Sequence, residues 1–264
     1  MFEYFYAALL GVVQAFTEFL PVSSSAHLIL VSEAIDGEAM PLALNVALHM
    51  GTALAVLLYF WRDWLAMGRG VLDMAARRPG NQAARVVLPG LILGSVPAGV
   101  LGIAAHEWIE ETLHHPLWVV APLILVGVAL WLSDRYFTGN DALADLSIKK
   151  AFLIGMAQAT ALFPGVSRSG ATILCARALG LGRVDAARYS FLLGTPAMMG
   201  AALLKGPEIL EHSGDPRFGI GFLTSFIVGL LVIRFFLGFL RRFGFGVFAV
   251  YRVLLGLLIL ALWF

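Results

Sequence analysis

The sequence predicts an all-α polytopic integral membrane protein: six transmembrane helices plus two re-entrant half-helix pairs, arranged as an inverted-topology repeat. Three observations lead there. Hydrophobic residues make up 60% of the chain and charged residues only 13%, about half the charge a soluble domain carries on average. Mean hydropathy is +0.87. Two stretches, residues 4–34 and 148–182, are apolar at both ends and polar in the middle.

The six full spans are Pro41–Trp61, Val86–Ala105, Pro116–Ser133, Ala186–Leu204, Phe218–Leu240 and Phe245–Phe264. Each can cross a hydrocarbon core of about 30 Å at about 1.5 Å per residue. Gly and Pro inside them, as in Leu93-Gly94-Ser95-Val96-Pro97, suit close packing between membrane helices. The N-terminal stretch Phe2–Leu20 is neither a cleavable signal, since it carries Glu3 where a basic region belongs, nor a good span, since it contains Gln14 and Glu18 and ends at Pro21. The single Cys175 leaves no intrachain disulfide.

The two polar middles are Glu18-Phe19-Leu20-Pro21-Val22-Ser23-Ser24-Ser25-Ala26-His27 and Phe163-Pro164-Gly165-Val166-Ser167-Arg168-Ser169-Gly170-Ala171-Thr172. Pro and Gly break a helix in each, which predicts two half-helices that enter the bilayer and return to the same side. Such backbone is allowed at depth only under protein or water cover. A shift of 144 residues lays Gly11 on Gly155, Gln14 on Gln158, Phe19 on Phe163, Ser23 on Ser167 and Ser25 on Ser169. One residue of slippage later, Gly51-Thr52 meets Gly194-Thr195. The chain thus divides into repeat one (1–133), a cytoplasmic connection (134–147) and repeat two (148–264), within one membrane domain. Three spans separate the copies. An odd number inverts the second relative to the first, as in transporters with broken helices at the midplane.

Charge placement agrees. The loop 62–85 holds Arg62, Arg69, Arg77, Arg78 and Arg85 against Asp63 and Asp73, and positive loops face the cytoplasm. That side then also receives Arg135, Lys149, Lys150, Arg183, Arg188, Arg241 and Arg242. The opposite side receives Glu33, Asp36, Glu38, Glu107, Glu110, Glu111, Glu208, Glu211 and Asp215, with Lys205 and Arg217 as exceptions. Both termini are expected on the outer side. His106, His114 and His115 are expected in a solvated outer loop.

Glu18 and Arg168 are the deepest charges in the breaks, which makes them functional candidates that need a partner. A structural ion pair joining the two breaks is a compatible reading. Arg168 opens a half-helix between Ser167 and Ser169. A helix N-terminus, a guanidinium, the hydroxyls, Gly170 and Thr172 together make a phosphate cradle. The serines taken alone also fit ordinary N-capping. In the first copy Ser24 replaces Arg168, and His27 follows on the same helical face. His27 can serve as general acid or base and Ser24 as a nucleophile activated by it. Ser23 and Ser25 flank this pair as substrate contacts. Glu18 can hold a metal ion, orient His27 or take a proton. Gln14 can join it as a metal ligand or, like Gln158, act as polar glue between helices. Thr17, Asn45 and His49 are supporting candidates, and Arg252 either faces the bundle or snorkels.

Both motifs resemble the bacterial undecaprenyl-diphosphate phosphatase family, also known for bacitracin resistance. The stretches that carry the likeness are Gln14–His27 and Pro164–Thr172, and length and segment order also fit. The resemblance implies an enzyme of the bacterial plasma membrane. It would remove the terminal phosphate of undecaprenyl diphosphate and so recycle the lipid carrier for peptidoglycan. It implies a site open to the periplasm, a divalent cation such as Mg²⁺ or Ca²⁺, and roles for Glu18, Ser24, His27, Ser167, Arg168, Ser169 and Thr172. Whether Ser24 or a water attacks stays open. Gln14 stands where the family's Glu-x-x-x-Glu form has its first acid, and Ala26 where Gly commonly precedes the His. Expected partners are the diphosphate lipid and membrane lipids, with room for a homodimer and no sign of nucleic acid. A polyprenyl-phosphate flippase is the competing reading, because the inverted repeat favours transport.

Overall fold

The computed structural model describes residues 2–35, 40–77, 82–112, 116–204 and 214–263. Asp36, Glu38, Arg78, His114, His115, Lys205, Glu208 and Glu211 lie outside the described residues. So do the side chains of Glu33, Arg85, His106, Glu107, Glu110 and Glu111.

The described residues contain eleven α-helices: α1 (Phe2–Phe19), α2 (Ser24–Ile35), α3 (Leu42–Tyr59), α4 (Trp61–Ala75), α5 (Gln82–Thr112), α6 (Pro116–Tyr136), α7 (Ile148–Thr160), α8 (Arg168–Ala178), α9 (Arg183–Leu204), α10 (Pro216–Leu240) and α11 (Gly246–Trp263), with one 3-10 turn at Leu143–Asp145. They include no strand, only an isolated bridge between Asp141 and Leu181.

Four helices are long and apolar enough to cross a membrane: Leu42–Tyr59, Val86–Ala105, Leu117–Tyr136 and Pro216–Leu240. Gly246–Leu262 is apolar but shorter. The expected span over Ala186–Leu204 is helical as α9 but is not among the four. Its start carries Arg183, Asp185 and Arg188, and most of its length, from Ala186 to Thr195, is in the protein interior. A helix wrapped by other helices does not need a lipid-facing surface. The outer helices do: Ile92, Val100, Ile103, Leu125, Leu231 and Leu254 are all exposed. So many exposed large apolar side chains mark a surface made for something other than water.

One expectation needs correcting. Residues 62–85 read as a loop, yet α4 occupies Trp61–Ala75. It buries Met67 and Gly70 and exposes Leu65, Leu72, Arg62 and Arg69. Its charges obscured a helix with apolar and basic residues that suits a membrane–water boundary.

Close crossings rely on small residues. Gly11 of α1 meets Gly221 and Thr224 of α10, and Gly155 of α7 meets Gly94 of α5, so that a Cβ at either glycine would collide with the facing helix. Such contacts let membrane helices approach by backbone packing. Where the chain between helices is broken, the two breaks share a geometry. Ser23 has φ of 77° and Ser167 φ of 73°. Each hydroxyl lies 3.2 Å from that of the serine two residues on, Ser25 or Ser169. Positive φ is uncommon outside glycine and costs energy. Both members of the sequence-matched pair adopt it.

Candidate active site

The two breaks meet, and their charges pair. Glu18, at the end of α1, is 6% exposed, and Arg168, at the start of α8, is 14% exposed. The guanidinium donates to one carboxylate oxygen, Oε1, from Nε at 3.2 Å and from Nη2 at 2.9 Å. Its Nη1 donates to the Ser190 carbonyl of α9 at 2.7 Å. The other carboxylate oxygen, Oε2, accepts from Ser24 Oγ at 3.1 Å and from Gln14 Nε2 at 3.3 Å. His49 Nε2 of α3 lies 3.7 Å from the same oxygen. Every polar valence of Glu18 is therefore engaged by groups from α1, α2, α3 and α8. A buried carboxylate is tolerable only with such compensation.

Gly194 of α9 lines the guanidinium so closely that a Cβ there would overlap it. Gly194→Ala should push Arg168 off Glu18. A displacement near 1 Å costs on the order of 100-fold in catalysis when it misplaces a reacting group. The expected result is a fall of that order in turnover with near-normal yield of folded protein, read by activity and size-exclusion profile together.

The remaining hydroxyls form defined chains. Gly170 N–H donates to Ser167 Oγ, the N-cap of α8. Ser169 Oγ donates to the Leu20 carbonyl of the first break at 3.2 Å, so Ser167 Oγ must donate to Ser169. Thr172 Oγ1 donates to the Arg168 carbonyl and lies 2.7 Å from Ser190 Oγ. Thr172 and Gly170 are thus turned into the protein, where Gly170 N–H bonds the Ser167 cap of α8 and Thr172 ties α8 to α9. Ser23 is fully buried, and Ser25 is exposed.

Ser24 and His27 do not bond to each other. Ser24 bonds Glu18. His27 Nδ1 is 2.7 Å from the Ser23 carbonyl, and Nε2 is 2.6 Å from the Tyr251 hydroxyl of α11. Gln14 and Gln158, equivalent in sequence, differ in use. Gln14 donates to Glu18, whereas neither amide atom of Gln158 has a hydrogen-bond partner among the described residues.

Arg252 faces the bundle and does not snorkel. It is fully buried and donates to five carbonyls: Leu123, Pro122, Pro21, Gly165 and Val166. Pro21 belongs to the first break, Gly165 and Val166 to the second, and the other two to α6. Gly127 of α6 makes room for the arginine stem. Sequence reasoning singled out Arg252 but missed this role, and it missed Ser190 and Tyr251 altogether. The adjacent Tyr251-Arg252 pair inside an apolar helix was the available signal.

A bundle of apolar, lipid-suited helices around a buried Glu–Arg–Ser cluster is a multi-pass membrane protein with an internal polar site. The family model described as bacitracin resistance protein BacA matches residues 7–258. The chain belongs to that family. A protein of Thermomicrobium roseum named undecaprenyl-diphosphatase is 43% identical over 267 residues, covering 96% of both chains. Proteins of the same name from Desulforudis audaxviator and Alcanivorax borkumensis are 42% and 41% identical, covering 98% of this chain and 97% and 98% of theirs.

Proposed function

We propose that the chain hydrolyses undecaprenyl diphosphate to undecaprenyl phosphate and inorganic phosphate, returning the lipid carrier to cell-wall synthesis. One observation carries the residue assignment: the buried cluster in which Glu18 joins Arg168 and Ser24 across the two breaks. Arg168 brings bidentate donors to phosphate oxygens and offsets charge that develops during phosphoryl transfer. Ser24 Oγ, or a water in its reach, attacks the terminal phosphorus, and the bond to the prenyl phosphate breaks. Glu18, already accepting the Ser24 hydrogen bond, receives the proton. His27 supplies or removes a proton as general acid or base. If Ser24 attacks, water then cleaves the phosphoserine and restores the hydroxyl.

The supporting architecture is six spans with two re-entrant pairs, the second inverted and entering from the cytoplasm, the first from the periplasm. The matched φ values at Ser23 and Ser167 support a repeat. The expected cytoplasmic charges pair with one another, Arg188 with Asp63, Arg183 with Asp134 and Lys150 with Asp141. Arg217 instead pairs with Asp215 and with Glu3 beside the N-terminus, as expected for the opposite face. Both termini and the mouth of the site then face the periplasm.

Glu18 and Gln14 would hold a divalent cation, Mg²⁺ or Ca²⁺, which would displace the Ser24 and Gln14 hydrogen bonds from Glu18 Oε2. Gln14 Oε1 is buried without a hydrogen-bond partner among the described residues, an oxygen of the kind hard cations take. No group of three or more His, Cys, Asp or Glu suited to a metal occurs among the described residues, so the phosphates would supply much of the coordination, as is usual for Mg²⁺. When bound, the cation would neutralise phosphate charge. Gln14→Glu adds a second carboxylate one turn from Glu18. It should lower the Mg²⁺ concentration needed for half-maximal activity by roughly tenfold, measured by titrating metal into EDTA-stripped protein.

The test of function is phosphate release from undecaprenyl diphosphate by the purified protein, with and without EDTA and with Ser24→Ala beside wild type. Release that depends on Ser24 supports the proposal. Lipid translocation across vesicles without phosphate release would favour the flippase reading.

A further inference from the structure

Tyr251 is half-exposed and lies outside the two broken-helix motifs, yet it contacts a ring those motifs present. Its hydroxyl is 2.6 Å from His27 Nε2, and the two rings stack at 5.6 Å between centroids with planes 9° apart. The other ring nitrogen decides the chemistry. His27 Nδ1 is 2.7 Å from the Ser23 carbonyl, and a carbonyl can only accept, so Nδ1 carries a hydrogen. In the neutral ring Nε2 is then the lone-pair nitrogen and Tyr251 O–H donates to it. In the charged ring Nε2–H donates to the tyrosine oxygen instead. A hydroxyl is donor and acceptor at once, so Tyr251 keeps its bond through both protonation states without moving.

We propose that Tyr251 is the positioning residue of His27, fixing the Nδ1–H tautomer and the ring plane so that Nε2, bonded to the Tyr251 hydroxyl, is the ring nitrogen that takes up and gives back a proton. The Ser23 carbonyl that fixes the other nitrogen sits at the strained φ of 77°. The neighbouring Pro21 carbonyl is held by Arg252, the next residue along α11. One turn of α11 therefore sets both the imidazole and the backbone it leans on. A phenylalanine preserves the stacking and removes only the hydroxyl. This inference rests on the reading that His27 serves the reaction.

The experiment uses the full chain, comparing wild type, Tyr251→Phe and His27→Ala. Loss of a hydrogen bond to a reacting group corresponds to about a tenfold fall in kcat. Tyr251→Phe should show that fall with KM changed less than about twofold. In ¹⁵N-histidine spectra, wild-type His27 should show a protonated Nδ1 and a bare Nε2, and Tyr251→Phe a mixture of tautomers. A Tyr251→Phe protein with wild-type kcat and an unchanged tautomer overturns the proposal. So does a wild-type spectrum with the hydrogen on Nε2, which decides the matter even if the variant fails to fold. Full activity in His27→Ala would instead overturn the catalytic reading of His27, leaving the tautomer measurement to judge Tyr251 separately.

Discussion

Arg168→Ala is expected to reduce phosphate release by about 1,000-fold or more, the scale on which removing an arginine from phosphoryl transfer acts. Two effects combine. The phosphates lose a pair of parallel donors, and Glu18 loses the guanidinium that holds its Oε1. Arg168→Lys should recover little, because an ammonium cannot span Glu18 and the Ser190 carbonyl with the same planar fork. Stability should fall as well, since breaking a buried pair from one side costs about 3–5 kcal/mol. Glu18→Gln in the Arg168→Ala background should restore much of the thermal stability and none of the turnover. Melting in detergent and phosphate release, measured on the same preparations, separate the two effects.

Arg252→Met is expected to cost folding itself. Five carbonyls would lose a charged donor at once. Hydrogen bonds to charged groups contribute about 1.5–3 kcal/mol each, and a domain is stable by only about 5–15 kcal/mol in all. Even with partial relaxation, the loss reaches the whole margin. Arg252 is fully buried, and buried carbonyls left without a donor carry the full cost of desolvation. The expected result is little monodisperse protein on size exclusion. Arg252→Lys, with three donors on a flexible stem, should give folded protein of lower melting temperature and reduced activity, because the carbonyls it abandons lie in the two breaks. A normal yield of stable Arg252→Met protein would contradict the assignment.

The sequence made the helical class legible because a bilayer demands long apolar runs, and few other environments produce them. It also made the breaks legible, since Glu18 and Arg168 stand beside serines that recur at matched spacing, and deep charges have no place on the lipid side of a span. Two elements were harder. The α4 helix was concealed by its arginines, because interfacial helices and loops share that composition. The α9 helix met the expected position but not the hydropathy of a span, because protein rather than lipid surrounds it.

Within the site, the sequence offered the Glu18–Arg168 pairing as one reading, because deep charges need partners, and the two side chains do pair. The Ser24–His27 pairing rested on their spacing and on the match of Ser24 to Arg168, and neither tells which of several neighbours wins a hydroxyl. Glu18 took Ser24, and Tyr251 took His27, from a helix over 220 residues away in sequence. Ser190 and the carbonyls around Arg252 were not legible for a simpler reason. Their contacts with Arg168 and Arg252 run through backbone oxygens, which every residue has and no side-chain pattern reveals.

If Glu18 and Arg168 join the two breaks into one phosphatase site, the effects of losing each are coupled. A double-mutant cycle on phosphate release tests it most directly, using wild type, Glu18→Gln, Arg168→Ala and the double variant with undecaprenyl diphosphate as substrate. Groups that work as a unit are strongly non-additive. Wild type should release phosphate, and the double variant should be no slower than the worse single variant. Losses that simply multiply, or a wild-type protein that releases none, would contradict it.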